Sequence, residues 1–273
     1  MSAADVIRVA PDWLALREPA DAEARALDLV EALGRALPTG GPTVVHDLGS
    51  GSGSMGRWLA PLLAGPQHWV LHDRDEDLLA LAADLPGPAA DGARVIVEAR
   101  QTDISRMDAA DLVGASLITA SALLDLFTAD ELGRLVDLCA GVGCPVLLTL
   151  SVIGEVEVSP ADPLDRRVAV AFDAHQRRTT ERGALLGPDA ADLAAEAFRR
   201  RGAEVLVRPS PWRLGPEHAA LAAEWFTGWV GASVEQEAEL GVECAPYVRR
   251  RLAQARAGEL GVSVGHADLL VLP

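Results

Sequence analysis

The segment that most constrains the fold is Thr43–Leu48 together with the glycines that follow it. Apolar and β-branched residues dominate this short run, which is typical of a buried parallel strand. Gly49, Gly51 and Gly53 then alternate with serines before a predicted helix. Because glycine lacks Cβ, such a loop turns tightly and brings a ligand against backbone N–H groups at a helix N-terminus. The pattern predicts an α/β chain with a ligand loop at the end of its first strand.

Strand-like and helical segments alternate along the rest of the chain. The predicted further strands are residues 69–72, 94–98, 116–119, 145–150, 203–207 and 262–272, the last broken by Gly265. Helical periodicity falls at residues 77–83, 130–140 and 188–201. Such alternation implies right-handed crossovers. We therefore expect an α/β, Rossmann-like sheet of seven mostly parallel strands with helices on both faces.

Three further segments lie outside this repeat. Residues 1–42 predict an N-terminal helical cap, with a second helix starting near Pro19 and Asp21. Residues 43–273 form the main predicted domain, with insertions at about 151–187 and 211–258 that are mostly helical by periodicity. No proline-rich linker isolates the insertions, so we expect helical lids packed on the sheet's edge.

Composition excludes several functions. The net charge of −16 argues against nucleic acid or an anionic membrane as partner. The chain contains no Lys, which rules out a pyridoxal Schiff base and a Walker A lysine, and no Asn for N-glycosylation. Its three cysteines are too few and too poorly spaced for a disulfide framework or a four-ligand zinc site, and its histidines show no metal-ligand spacing, so no metal is expected. A cytoplasmic location is expected because the N-terminus lacks the pattern of a signal peptide. Nothing in the sequence indicates the oligomeric state.

The glycine loop alone allows two kinds of ligand. The spacing Gly51-x-Gly53-x-x-Gly56 also satisfies the dinucleotide pattern, so a nicotinamide or flavin enzyme competes. Asp47 stands ahead of the glycines, where a carboxylate repels a pyrophosphate and accepts hydrogen bonds from a cationic amino group. This acid favours a zwitterionic ligand that carries a sulfonium.

The run from Asp47 to Gly53 resembles the first motif, acid-x-Gly-x-Gly-x-Gly, of class I S-adenosylmethionine-dependent methyltransferases. The resemblance extends over about residues 43–150. It implies that S-adenosyl-L-methionine is the cofactor, with its methionine part against the loop, and that the last strand is antiparallel. The cofactor-binding residues it implies here are Asp47, Gly49, Ser50, Gly51, Gly53 and Met55.

Three later segments resemble the further motifs of that family. Asp73, followed by Arg74, falls 20 residues after Gly53 and would take the ribose hydroxyls. After the third strand, Thr102 and Asp103 would border the adenine, with Asp103 accepting from its amino group.

Ile104 would pack on the adenine ring, and Ser121 in the fourth motif would border the methyl group. That fourth motif lacks the Pro-Pro-aromatic form of methyltransferases that act on nucleic-acid or protein amides. Together with the acidic charge, this departure favours a small organic acceptor. The fourth motif itself leaves the methylated atom open, and we expect oxygen in preference to nitrogen or carbon.

Two residues are candidates for acceptor chemistry. His175 lies in a polar cluster on the first insertion and could take the proton from an attacking hydroxyl, although a structural histidine is an open alternative. Asp125, at the end of the fourth motif, is the reserve base or acceptor anchor. The competing functions are an NAD(P)-dependent oxidoreductase and a non-catalytic cofactor-binding module.

Overall fold

Two helices precede the sheet in the computed structural model, which describes residues 9–82 and 87–273. They are α1 (Pro11–Ala24) and α2 (Leu27–Ala36). The prediction of a helix start near Pro19 is wrong, because α1 continues through this proline. A bidentate pair between Arg17 and Asp21 spans it, and the break comes instead at Arg25, whose backbone is extended.

The strands form one large sheet and one small hairpin. Their bounds are β1 Thr43–Leu48, β2 Gln67–Asp73, β3 Val95–Gln101, β4 Leu117–Ser121, β5 Val146–Ser159, β6 Thr179–Thr180, β7 Gly183–Ala184, β8 Glu204–Pro209, β9 Trp212–Leu214 and β10 Gly261–Leu272. Among the described residues, eight strands pair in the order β3-β2-β1-β4-β5-β10-β8, with β9 added to β10. β1 to β5 run parallel, and β10 is antiparallel to both of its main neighbours. The seven predicted strands are confirmed, and β9 is additional.

Helices cover both faces of this sheet. The remaining ones are α3 Ser54–Leu59, α4 Glu76–Ala82, α5 Ala129–Val142, α6 Asp165–Gln176, α7 Ala190–Arg200, α8 Ala219–Gln236 and α9 Leu240–Arg256. Neighbouring strand residues point to opposite faces, so Leu148 packs with α5 and α7 while Leu147 packs with α2 and α3. The predicted α/β class with two helical layers is confirmed. Of the predicted helix 77–83, residue 83 lies outside the described residues.

The first insertion differs from its prediction. Residues 151–159 continue β5 rather than forming helix, because the long β10 provides a partner as far as Ser159. The last strand is also unbroken at Gly265, where only a register shift between Val264 and His266 occurs. The second insertion carries the predicted helices as α8 and α9. Helices α8 and α9 share one apolar cluster with α6 and α1, and Phe226 and Trp229 belong to this cluster.

No described helix has the length and apolar character needed to cross a membrane. In the same described part of the chain, no group of three or more His, Cys, Asp or Glu side chains is placed to hold a metal ion. The three cysteines are buried and unpaired.

Candidate functional site

The glycine loop lies between β1 and α3, at the carboxyl edge of the parallel strands. All three predicted glycines have positive φ, with Gly51 at 53° and Gly53 at 86°. A Cβ on Gly53 would also lie 3.1 Å from the Cβ of Ala82. The conformation and the close approach of α4 therefore both require glycine there.

Three backbone N–H groups of this loop, those of Ser50, Gly51 and Gly53, are already bonded within the protein. Gly51 N–H donates to Asp73 Oδ2 over 2.8 Å. Ser50 N–H donates to the carbonyl of His72 over 3.0 Å, and Gly53 N–H donates to the carbonyl of Ser50 over 2.9 Å. Since these donors are engaged, the loop does not present them to an anion.

Asp47, the last residue but one of β1, is a buried carboxyl with one unused oxygen. Thr119 Oγ1 donates to Asp47 Oδ1 over 2.7 Å, whereas Asp47 Oδ2 has no hydrogen-bond partner among the described residues. Burial raises the pKa of Asp47 to about 7, and the hydrogen bond from Thr119 and the charge of Arg25 oppose that rise only in part. The hydroxyl of Ser50 is likewise buried and unpaired within the described chain. Buried polar atoms without partners are uncommon, and two of them lie at this edge of the sheet.

Arg25 reaches the same edge from the segment between α1 and α2. Its Nη2 donates to the Ser54 hydroxyl over 3.3 Å and to the Ser121 hydroxyl over 3.1 Å. The guanidinium lies over the ring of Trp58, 5.2 Å from the centroid. Sequence analysis did not single out Arg25, because no motif surrounds it and only tertiary packing brings it to the loop.

The predicted second and third motifs lie together at the ends of β2 and β3. Asp73 Oδ1 accepts the N–H of Asp75 over 2.9 Å, so both carboxylate oxygens of Asp73 hold backbone groups. Thr102 N–H donates to the carbonyl of Asp73 over 2.8 Å, and Gln101 Nε2 donates to the carbonyl of Arg74 over 3.1 Å. These bonds hold the two strand ends side by side.

Beneath this edge lies a buried histidine pair. The rings of His46 and His72 share a hydrogen bond of 3.0 Å between Nδ1 and Nε2. Burial lowers the pKa of each to about 4, so both are neutral at pH 7. His72 also contacts the hydroxyl of Thr102 at 3.3 Å, which connects the pair to the strand end above.

Three other predicted cofactor residues have mainly local or core contacts. Asp103 is exposed, and its Oδ1 accepts from the backbone N–H and hydroxyl of Ser105. Ile104 is half-buried against the core. The Met55 side chain is 1% exposed and packs under β1, so only its backbone remains to face a ligand.

Helix α1 lies next to the glycine loop. The Cδ1 atom of Leu14 lies 3.4 Å from where a Cβ on Gly51 would be, and Glu18 pairs with Arg57 of α3 at 2.5 Å. Asp125 sits in a short 3-10 turn after β4.

Burial raises the pKa of Asp125 to about 6, against its own backbone hydrogen bond and the charges of Arg17 and Arg178. Of these two arginines, Arg17 belongs to α1 and Arg178 follows the end of α6. His175 occupies a different position, on α6, where its Nε2 lies 3.2 Å from the exposed Glu235 carboxylate on α8.

Two surface grooves lie away from the loop. One, of about 980 Å³, lies at the amino end of β1 beside α2, and the other, of about 830 Å³, runs between α6 and the extended β5–β10 pair. Neither contains a residue of the glycine loop. The candidate site is defined by the strand ends and by unpaired buried polar atoms.

No protein-family model and no curated protein matches this sequence. Solved structures do match it. A cyclopropane-fatty-acyl-phospholipid synthase-like protein from Lactobacillus casei aligns at TM-score 0.54 and 13% identity, over 94% of this chain and 92% of its own. A cyclopropane synthase from Mycobacterium tuberculosis aligns at TM-score 0.52 and 12% identity, over 97% and 95% of the two chains. With antiparallel β10 between β5 and β8 and the glycine loop after β1, the chain has the Rossmann-like fold of class I S-adenosylmethionine-dependent methyltransferases.

Proposed function

We propose that this protein is an S-adenosylmethionine-dependent methyltransferase that acts on a small organic molecule, on oxygen in preference to nitrogen or carbon. The observation that carries the proposal is a glycine loop that lies between two carboxylates, Asp47 and Asp73, and has three of its N–H groups engaged within the protein. A pyrophosphate needs N–H donors and is repelled by carboxylates. An ammonium group and ribose hydroxyls instead need acceptors, which this loop offers.

The sheet topology weighs against the oxidoreductase alternative. The dinucleotide-binding fold has the strand order 3-2-1-4-5-6. Here an antiparallel strand, β10, stands between β5 and the parallel β8. A nicotinamide cofactor therefore fits neither the strand order nor the donors of the loop.

The unpaired polar atoms fit the polar groups of the cofactor. Asp47 Oδ2 would accept from the ammonium group, and Ser50 Oγ is a second unpaired group beside it. Asp73 would accept from the ribose hydroxyls. The complete proposed cofactor set is Asp47, Gly49, Ser50, Gly51, Gly53, Met55, Asp73, Arg74, Thr102, Asp103, Ile104 and Ser121.

The protein's main tasks in the reaction are to align the acceptor and to exclude water. When bound, the cofactor supplies a methyl group on a sulfonium, which is already a good leaving group. Leu14 of α1 lies against Gly51 and covers that part of the loop. Asp125, with its pKa raised to about 6, is mostly ionised at pH 7 and can accept the proton that a hydroxyl acceptor loses.

His175 is the second candidate base. Its Nε2 lies 3.2 Å from the Glu235 carboxylate, and this pair lies between α6 and α8. A cytoplasmic location and a small acceptor belong to the same proposal, and the net charge of −16 supports the absence of polyanionic partners.

Ligand binding tests the class of function. Differential scanning fluorimetry with S-adenosylhomocysteine, NAD or no ligand should show a rise in melting temperature with S-adenosylhomocysteine alone. Stabilisation by NAD alone would falsify the proposal. Binding of S-adenosylhomocysteine without turnover on any acceptor panel would instead indicate the non-catalytic module.

Turnover tests the acceptor side once an acceptor is identified. Asp125→Asn and His175→Ala should be compared across pH for turnover and for S-adenosylhomocysteine affinity. Removal of the general base should lower turnover by roughly 10²–10⁴-fold. The acting base is the residue whose loss gives this drop without weakening cofactor binding, whereas parental rates in both variants would mean catalysis by alignment alone.

A further inference from the structure

Arg25 is a buried arginine with spare hydrogen-bond donors beside the proposed cofactor site. Its side chain is 3% exposed. Only Nη2 has partners within the described chain, and these are two neutral hydroxyls, while Nε and Nη1 have none. A buried cation is normally paired with a carboxylate. The local structure therefore leaves part of this guanidinium for another molecule.

The acids near Arg25 do not fill this role, because each is engaged elsewhere. Asp21 binds Arg17 with both oxygens and accepts from the Trp212 indole. Asp268 holds the backbone N–H groups of residues 26 and 150 and a serine hydroxyl. Burial lowers the pKa of Arg25 despite these acids, which means that its charge is under-compensated.

The position of the guanidinium defines what it can bind. Ser54 is the first residue of α3, directly after the glycine loop, and Ser121 is the last residue of β4. Arg25 therefore lies at the edge where Asp47 carries its unpaired oxygen. The unpaired carboxylate oxygen of Asp47 can accept from the ammonium group of an α-amino acid, and the unpaired N–H groups of Arg25 can donate to its carboxylate.

We propose that Arg25 binds the carboxylate of the cofactor's amino-acid portion and makes that carboxylate a requirement for binding. This inference rests on the proposed function. It assigns the carboxylate of the cofactor to Arg25, a residue of the N-terminal cap, and leaves the ammonium group of the cofactor to Asp47. Ser54 and Ser121 act as positioning residues, because they hold Nη2 while the other donors stay available.

The first test uses the unmodified protein and two ligands. S-adenosylhomocysteine is compared by calorimetry with its decarboxylated counterpart, which keeps the adenosine, the thioether and the amino group. The counterpart should bind roughly 10- to 100-fold more weakly, the range expected when a charge-assisted hydrogen bond is lost. Equal affinities would overturn the assignment and leave the proposed function intact. Failure of both ligands to bind would contradict the proposed function itself.

The second test asks whether Arg25 causes the preference. Arg25→Gln should lose most of the affinity for S-adenosylhomocysteine and bind the decarboxylated ligand within about threefold of the parent. Arg35→Gln removes an exposed charge from α2 and is the matched control, which should keep the full preference. Arg25→Lys keeps a cation and should retain part of the preference for S-adenosylhomocysteine over the decarboxylated ligand. A full preference combined with an unchanged affinity in Arg25→Gln, or in Arg25→Met should the first variant not fold, would assign the carboxylate to another residue.

Discussion

Two buried arginines in different parts of the fold, Arg251 on α9 and Arg25 between α1 and α2, differ in how their charge is compensated. Arg251, on α9, donates from Nη2 to both oxygens of Asp165 and from Nη1 to the carbonyl of Pro160. Although burial opposes its charge, the hydrogen bond and charge of Asp165 raise the pKa of Arg251. Arg25 has only hydroxyl partners, and burial lowers its pKa.

The difference separates a structural cation from one available to a ligand. Around Arg251, the Tyr247 hydroxyl also donates to Asp165, so this cation has a carboxylate partner even though its Nε has no partner among the described residues. At the carboxyl edge of the sheet, Asp47 Oδ2 and both Nε and Nη1 of Arg25 are unpaired, and Arg25 donates to no carboxylate among the described residues. We expect substitutions of the Arg251–Asp165 pair to change stability alone, and substitutions at the sheet edge to change ligand binding.

The largest effect should come from breaking the paired arginine. Arg251→Met leaves the partly buried Asp165 without its cation and should lower the free energy of unfolding by about 3 kcal/mol. Arg25→Met removes a charge that lacks a carboxylate partner and should stay within about 1 kcal/mol of the parent. Urea unfolding measures both. Equal losses in the two variants would mean that Arg25 is as structural as Arg251.

Gly51→Val should weaken S-adenosylhomocysteine binding by more than about 100-fold while the protein stays folded, because a branched Cβ obstructs the loop. The same substitution at Gly114 is a matched control, since Gly114 also has positive φ and nothing within 4 Å of an added Cβ. It should cost similar backbone strain without changing affinity. Isothermal calorimetry and circular dichroism give the two readouts. Parental affinity in folded Gly51→Val would remove the loop from the site.

Asp73→Ala should weaken S-adenosylhomocysteine binding by about 1.5–3 kcal/mol, through loss of charge-assisted hydrogen bonds to the ribose. Asp91→Ala is the matched control. Asp91 is exposed and likewise accepts two backbone N–H groups, from Gly65 and Ala93, in a distant turn. Calorimetry should show no change for that control. An unaltered dissociation constant in Asp73→Ala would mean that Asp73 only shapes the loop.

The smallest effect is a pH dependence of binding. Because the pKa of Asp47 is about 7 in the free protein, its carboxyl is mostly protonated below pH 7. Binding an ammonium group requires the carboxylate, so binding releases that proton. Affinity for S-adenosylhomocysteine should therefore fall about tenfold per pH unit below pH 7 and level off above it. In Asp47→Asn the profile should be flat, and an unchanged slope there would assign the titration to another group.

The sequence predicted the parts of the fold that depend on local pattern. Strands β1 and β2, which end at Leu48 and Asp73, follow from β-branched runs, and the glycine loop after β1 follows from its turn residues. Tertiary contacts do not override these local patterns. The length of β5 could not be predicted, because its second half exists only through pairing with β10.

The candidate site was predictable where motif and position coincide, as for Asp47 and Asp73. Arg25 could not be found, since its role depends on a side chain that crosses from one element to another. Met55 follows the motif, yet its side chain packs into the core because the first turn of α3 faces the sheet. His175 lies in a polar run, but only the packing of α6 on α8 reveals its contact with Glu235.

Helix α1 is held next to the glycine loop by two contacts of different kinds. The Cδ1 atom of Leu14 lies 3.4 Å from the position of a Cβ on Gly51, and the ion pair between Glu18 and Arg57 ties α1 to α3. The ion pair is only partly shielded from solvent, so salt weakens it while the apolar contact is unaffected. The attachment of α1 beside the loop therefore has one part that depends on ionic strength and one part that does not.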